Sequence, residues 1–293
     1  MDKIIELAPA KINLYLKVIR KRDDGYHDIE TLFERIDIFD KVSLKTAKKD
    51  IVIECDIPGI PTGIGSLCYR AVELLKNRFN VDSGISINIK KKIPVAAGLG
   101  GGSSDAAGIL KGLNKLCALK LEKKELLDLA RQLGADVSFF LEDTSFAIGR
   151  DRGDNIKPVK SRKKYWHLIV TPNIMLLSGE IYKLYSETHS LDLTINEPVD
   201  KILNPALIIS SINRLKAIIH NDLESIVLSR EPNIKNIKDK LNEVSGGSAL
   251  ISGSGPSIFS LFETRKEALR AKNEIFRRFP DSQGWRVFVA KTF

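Results

Sequence analysis

Cysteine is scarce in this chain: Cys55, Cys68 and Cys117 are the three among 293 residues. Their odd number, wide separation and lack of Cys-x-x-Cys or Cys/His ligand spacing exclude a disulfide framework and a zinc site, and fit a reducing compartment. Long apolar runs are absent as well. None approaches the ~18 residues of a membrane span, and Met1-Asp2-Lys3-Ile4-Ile5-Glu6 lacks the apolar core of a signal peptide. A cytoplasmic protein is the expectation. There is no internal repeat, no low-complexity tract and no sustained heptad pattern, so the chain reads as a mixture of strands and helices.

What is present is ordinary for a globular protein: 43% hydrophobic and 28% charged residues. A chain of 293 residues suits one large or two medium domains, and two are expected. At this length about three quarters of the unfolded surface can be buried, so neither a metal nor a disulfide is needed as a staple. Lys plus Arg number 46 against 37 Asp plus Glu, a net charge of +9 that suits anionic partners, nucleotides as well as nucleic acids. The excess is spread out. Its densest pieces, Lys17 to Arg22, Lys90 to Lys92 and Lys160 to Lys164, read on their own as solvated faces.

Ile12, Leu14, Leu16 and Val18 alternate with Lys11, Asn13, Tyr15 and Lys17, the pattern of a half-buried strand that puts Lys11 and Asn13 on one face. Strands are also expected at 36–44, 85–89, 257–262 and 285–290. Helices are expected at 67–79, 106–119, 122–133 (stopped by Gly134), 179–185, 204–219, 234–244 and 266–276. The turn-rich, charged stretch from Gly149 to Lys164 is the candidate boundary, dividing the chain into 1–155 and 156–293 within an α+β architecture.

The most informative segment is Pro94-Val95-Ala96-Ala97-Gly98-Leu99-Gly100-Gly101-Gly102-Ser103-Ser104-Asp105-Ala106-Ala107, between an expected strand and an expected helix. Small residues let backbone N–H groups approach an anion, and a helix opening at Ser103 or Ser104 adds unpaired donors and the positive end of its dipole. A flexible linker would not need Ser-Ser-Asp feeding straight into an apolar helix, and a simple turn would not need so many glycines. The segment is not a Walker A loop, because no Gly-Lys-Ser/Thr closes it, and not Gly-x-Gly-x-x-Gly, because Ser103 stands at the last glycine. His-Arg-Asp and Asp-Phe-Gly are missing from the chain. A second small-residue loop, Ser252-Gly253-Ser254-Gly255-Pro256, is by itself at least as consistent with a plain turn.

Pro9-Ala10-Lys11-Ile12-Asn13-Leu14, the loop from Pro94 to Ala107, and Ile251 to Pro256 together resemble the three ordered motifs of the GHMP kinase superfamily. Asp24-Gly25-Tyr26-His27, Gly100 to Gly102, Leu133-Gly134-Ala135-Asp136 and Asn221-Asp222-Leu223-Glu224 resemble one branch of it. Kinases of that branch phosphorylate an alcohol that carries a cytidine diphosphate group, on the non-mevalonate route to isoprenoid precursors. The resemblance implies a ribosomal S5 domain 2-like N-terminal domain, which binds ATP and carries the catalytic residues. It also implies a ferredoxin-like C-terminal domain that completes the substrate cleft. Ser66 stands where the family often has Asn, and Leu177 where it has a hydroxyl residue.

Phosphoryl transfer to an alcohol needs a positioned hydroxyl, help with its proton and positive charge on the moving group. By resemblance Asp136 is the catalytic base and Lys11 its cationic partner. From the residues alone, Asp136 reads equally as a helix cap and Lys11 as a solvated strand lysine. ATP is expected at Lys91, Pro94, Val95, Ala96, Ala97, Gly98, Leu99, Gly100, Gly101, Gly102, Ser103 and Ser104, and a substrate hydrogen bond at Asn13, on the strand face of Lys11; the resemblance assigns the cytidyl group to Tyr26, His27 and Tyr182. ATP chemistry implies magnesium (Mg2+), with Ser104 or Asp105 the nearest candidate ligands. The rival readings are a homoserine or mevalonate kinase, an RNA-binding module and a non-catalytic ATP sensor. The first is opposed by Gly25-Tyr26-His27. The second is opposed by the diffuse charge and by the pairing of Lys11 with Asp136.

Overall fold

A computed structural model describes residues 3–189 and 204–293; Met1 and Asp2, the first residues of the N-terminal segment considered above, lie outside them. The strands are β1 (Ile4–Lys21), β2 (His27–Ala47), β3 (Ile51–Cys55), β4 (Gly84–Lys90), β5 (Phe146–Arg150), β6 (Asn155–Val159), β7 (Trp166–Thr171), β8 (His220–Asn221), β9 (Leu250–Ile251), β10 (Ile258–Phe262) and β11 (Arg286–Lys291). The helices are α1 (Leu67–Phe79), α2 (Gly101–Leu116), α3 (Lys123–Leu133), α4 (Val137–Leu141), α5 (Ser178–Thr188), α6 (Pro205–Ile209), α7 (Ile212–Ile218), α8 (Glu224–Arg230), α9 (Pro232–Ser245) and α10 (Arg265–Arg278). They form two compact units that interleave along the chain.

One unit holds Met1–Ala10, Ile38–Ile93 and Gly100–Asp143. Its sheet pairs the end of β2 with β4 antiparallel, and β4 with β3 in parallel. Helices α1 to α4 pack on one another, burying Ala71, Val72, Leu75, Ile109, Leu110, Leu113, Phe139 and Phe140. Of the three helices expected in this region, α1 keeps its expected ends and α2 has altered ones. Helix α2 opens at Gly101, earlier than Ser103 or Ser104, because Gly100 takes the left-handed conformation (φ 69°) and turns the chain itself. It closes at Leu116 rather than at 119, where Ala118 and Lys120 adopt positive φ. Helix α3 starts on a capping box between Glu122 and Glu125, and Gly134 donates to the Ala130 carbonyl at its end, as expected of a stop.

The other unit holds Lys11–Asp37, Pro94–Leu99 and Thr144–Phe293. Its four-stranded antiparallel sheet runs β11-β7-β10-β9, and its core includes Leu168, Val170, Ile181, Leu223, Val227, Ile234, Leu241, Ile258 and Ile275. In the same unit β8 adds in parallel to β1, while β5 pairs with β2 and with β6. The turn-rich stretch at 149–164 contains the turn and second strand of the β5–β6 hairpin, with Gly149 opposite Ile156. The helix expected over 204–219 is broken into α6 and α7, where the Ser210 hydroxyl turns back to the Leu207 carbonyl at 2.7 Å and competes with the helical ladder. Strand β1 is not half-buried as its alternation suggests: Lys11, Asn13 and Tyr15 are as covered as Ile12, Leu14 and Leu16. Alternation reports which face is apolar and cannot report that another segment lies over the polar face.

Candidate active site

The segment over that polar face is the second small-residue loop. Gly253, at φ 57°, sits so close to β1 that a Cβ there would lie 3.0 Å from the Asn13 amide oxygen and 3.6 Å from the Lys11 ammonium. The Lys11 ammonium donates to Asn13 Oδ1 at 2.6 Å and stands 5.3 Å from the centre of the Phe33 ring. Asn13 in turn donates to Thr31 Oγ1 (2.8 Å), which donates to the Tyr15 carbonyl (2.7 Å). This relay fixes where the lysine points, so Asn13 orients Lys11 whatever else it touches.

The loop itself is held by the Asn221 to Glu224 motif. Asn221 donates to the carbonyls of Ile251 (2.9 Å) and Gly253 (2.7 Å), while Asp222 accepts from the Val18 N–H at 2.8 Å and Glu224 from the Ile251 N–H at 3.0 Å. The first glycine-rich segment rests on the same loop. Ser252 Oγ donates to the Gly98 carbonyl at 2.9 Å, the Ser257 N–H to the Ala97 carbonyl, and the Lys11 N–H to the Leu99 carbonyl at 3.0 Å. A Cβ on Gly98 (φ 73°) would fall 2.0 Å from the Ser252 carbonyl oxygen, so only glycine fits there. Pro94, Val95 and Ala96 lead into this contact, and Leu176 donates to the Ala96 carbonyl.

Gly100 continues directly into α2, whose first turn is Gly101, Gly102, Ser103 and Ser104. Gly102 is exposed and has nothing within 4 Å of a Cβ position, leaving its backbone open to an incoming anion. Ser104 Oγ and Asp105 Oδ1 are buried and have no hydrogen-bond partner among the described residues. Lys91 points at neither solvent nor the loop's open side: its ammonium binds Asp40 and Asp105, the latter at 2.6 Å. Those two charges outweigh the opposing effect of burial and raise the lysine's pKa above its ordinary value. Burial, with Asp40 nearby, pushes the Asp105 carboxyl up to about 7 against the pull of Lys91.

Asp136 precedes α4, is half-buried and makes no side-chain capping bond to that helix, which removes the support for the capping reading. Ser66 does cap: its Oγ accepts the Tyr69 N–H at 3.1 Å at the start of α1.

His27 and Tyr182 come together, with ring centres 5.1 Å apart and planes 30° apart. Ser186, one turn along α5, was not singled out by its sequence. Its hydroxyl donates to the Tyr182 carbonyl (3.1 Å), so it accepts from His27 Nε2–H at 2.6 Å, leaving Nδ1 as the acceptor nitrogen. Burial first, and then the charge of Lys21, lower the His27 pKa and keep the ring neutral. Tyr26 is exposed, with the Arg152 guanidinium 5.2 Å from its ring centre.

No helix among the described residues is long and apolar enough to cross a membrane.

The family described as GHMP kinases N terminal domain matches residues 66–143, and the one described as GHMP kinases C terminal matches 203–281. A 4-diphosphocytidyl-2-C-methyl-D-erythritol kinase of Enterococcus faecalis is 39% identical over 276 residues, covering 92% of this chain and 94% of that protein. The enzyme of the same name from Acetivibrio thermocellus is 34% identical over the whole of both chains. Among solved structures, a 4-(cytidine 5'-diphospho)-2C-methyl-D-erythritol kinase superposes with a TM-score of 0.77 at 29% identity, covering 98% of each chain. A homoserine kinase from Cytophaga hutchinsonii, at 20% identity and a TM-score of 0.74, shares the fold. On motifs, fold and full-length similarity alike, the chain belongs to the GHMP kinases.

Proposed function

We propose that this chain transfers the γ-phosphoryl group of ATP to a hydroxyl of 4-diphosphocytidyl-2-C-methyl-D-erythritol, in the non-mevalonate route to isoprenoid precursors. The observation that carries the reading is the glycine loop running straight into α2, with Gly98 and Gly100 left-handed and the helix's first N–H groups uncapped by any side chain. Pro94 to Ser104 form the cradle for the ATP phosphates. Asp136 accepts the substrate's hydroxyl proton, and Lys11, held by Asn13, stabilises negative charge as it develops on that oxygen. Tyr26, His27 and Tyr182 take the cytosine end, with Tyr182 as a stacking surface and neutral His27 offering Nδ1 as an acceptor.

Magnesium fits the unpartnered, buried Ser104 hydroxyl better than a cage of protein ligands, since no group of three His, Cys, Asp or Glu side chains among the described residues could hold a metal. Bound there with the ATP phosphates, it would neutralise charge on the transferring group. Residues 1–155 supply the nucleotide loop and catalytic pair, and 156–293 supply Tyr182. The enzyme works in the cytoplasm on a small-molecule substrate, without nucleic acid.

The test is to incubate the purified protein with ATP, magnesium and a panel of alcohols, and to follow ADP release. Turnover is expected with the cytidyl alcohol and not with mevalonate or homoserine. Activity confined to either of the latter would overturn the substrate assignment.

A further inference from the structure

Lys91 lies just ahead of the glycine loop, where its charge suggests a contact with nucleotide, yet its side chain is only 5% exposed and its ammonium is shared between two carboxylates. Asp40, from β2, is fully buried and does two things at once. One oxygen takes the Lys91 ammonium, and the other accepts the backbone N–H groups of Lys92 (2.5 Å) and Ile93 (2.8 Å). Asp105, from the second turn of α2, takes the ammonium from the other side at 2.6 Å. The backbone of Lys91 is fixed too, donating to Asp56 at 2.8 Å. The first residue of α2 touches the same cluster: a Cβ on Gly101 would lie 3.0 Å from Ile93 Cγ2 and 3.2 Å from the Lys91 ammonium. One cation therefore ties a strand, the turn before the loop and the start of the helix after it.

We propose that Lys91 is a positioning residue: by bridging Asp40 to Asp105 it fixes the first turns of α2 against the Lys91–Ile93 turn. In this way it sets where the helix's terminal N–H groups meet the phosphates of a nucleoside triphosphate, without touching the base. The proposal rests on the reading that this loop binds ATP. A buried ion cluster of this kind adds little net stability compared with apolar packing, but it specifies one arrangement. Asp105 can accordingly be cut away without leaving Lys91 uncompensated, because Asp40 stays paired with it.

The test measures the ATP dissociation constant by calorimetry, and kcat and KM, for Asp105→Ala, Lys91→Met and the double variant. The clamp predicts that each single change weakens ATP binding about tenfold, that KM for ATP rises with kcat much less affected, and that the double variant is no weaker than either single one. The melting temperature of Asp105→Ala should stay near wild type. Should Lys91→Met fail to fold because it strands two buried carboxylates, Asp105→Ala decides the question by itself. Wild-type ATP affinity in Asp105→Ala, whatever Lys91→Met does, would overturn the clamp, as would effects of the two single changes that multiply. Failure of the unmutated protein to bind ATP would instead remove the reading on which the clamp rests, and it is seen before any variant is made.

Discussion

The loop at 94–104 and the loop at 252–256 both carry small residues and left-handed glycines, Gly98 and Gly100 in one, Gly253 and Gly255 in the other. They differ in the element that each one leads into. The first runs into the 16-residue helix α2, so its end presents a row of unpaired N–H groups and the positive end of a helix dipole. The second joins two short strands, β9 and β10, and has no such helix behind it. Its glycines serve close approach instead: Gly253 lies over Lys11 and Asn13, and the Ser252 carbonyl lies against Gly98. Glycine content alone does not mark a phosphate site; a helix opening at the end of the loop does.

Two substitutions sharpen the contrast. The larger effect belongs to Gly98→Ala, which forces a left-handed alanine and a Cβ 2.0 Å from backbone oxygen of the second loop. Neither can relax cheaply, so a loss of roughly 3–5 kcal/mol of stability is expected, read from the urea midpoint. Gly102→Ala sits two residues into the helix with open space around its Cβ and no left-handed φ, so stability should change little or rise by up to about 1 kcal/mol. Equal effects at the two positions would mean that the loops do not meet as described.

Much of this was legible before the structure. Sequence pattern placed α1, α3, α10, β10 and β11 closely, because the helices carry apolar residues at helical spacing and the two strands are short apolar runs. The loop stood out by composition, and Lys11 by the motif it belongs to. The partners of those residues did not. Asp40 is one carboxylate in a long strand, and the chain separates it from Lys91 by 51 residues. Ser186 lies 159 residues from His27. Contacts at such separations are made by tertiary packing, which local pattern does not encode. The same limit explains why Lys11 and Asn13 read as a solvated face: the loop that buries them comes more than 200 residues later.

The most direct measurement of the account is the turnover of Asp136→Asn. Asparagine keeps the size of the side chain, and since Asp136 caps no helix the substitution should leave the melting temperature and ATP affinity near wild type. An amide cannot accept the hydroxyl proton, so phosphorylation of the cytidyl alcohol should fall by about 10² to 10⁴. A variant that keeps its fold and its ATP affinity and still turns over within about tenfold of wild type would contradict the assignment of Asp136 as the base.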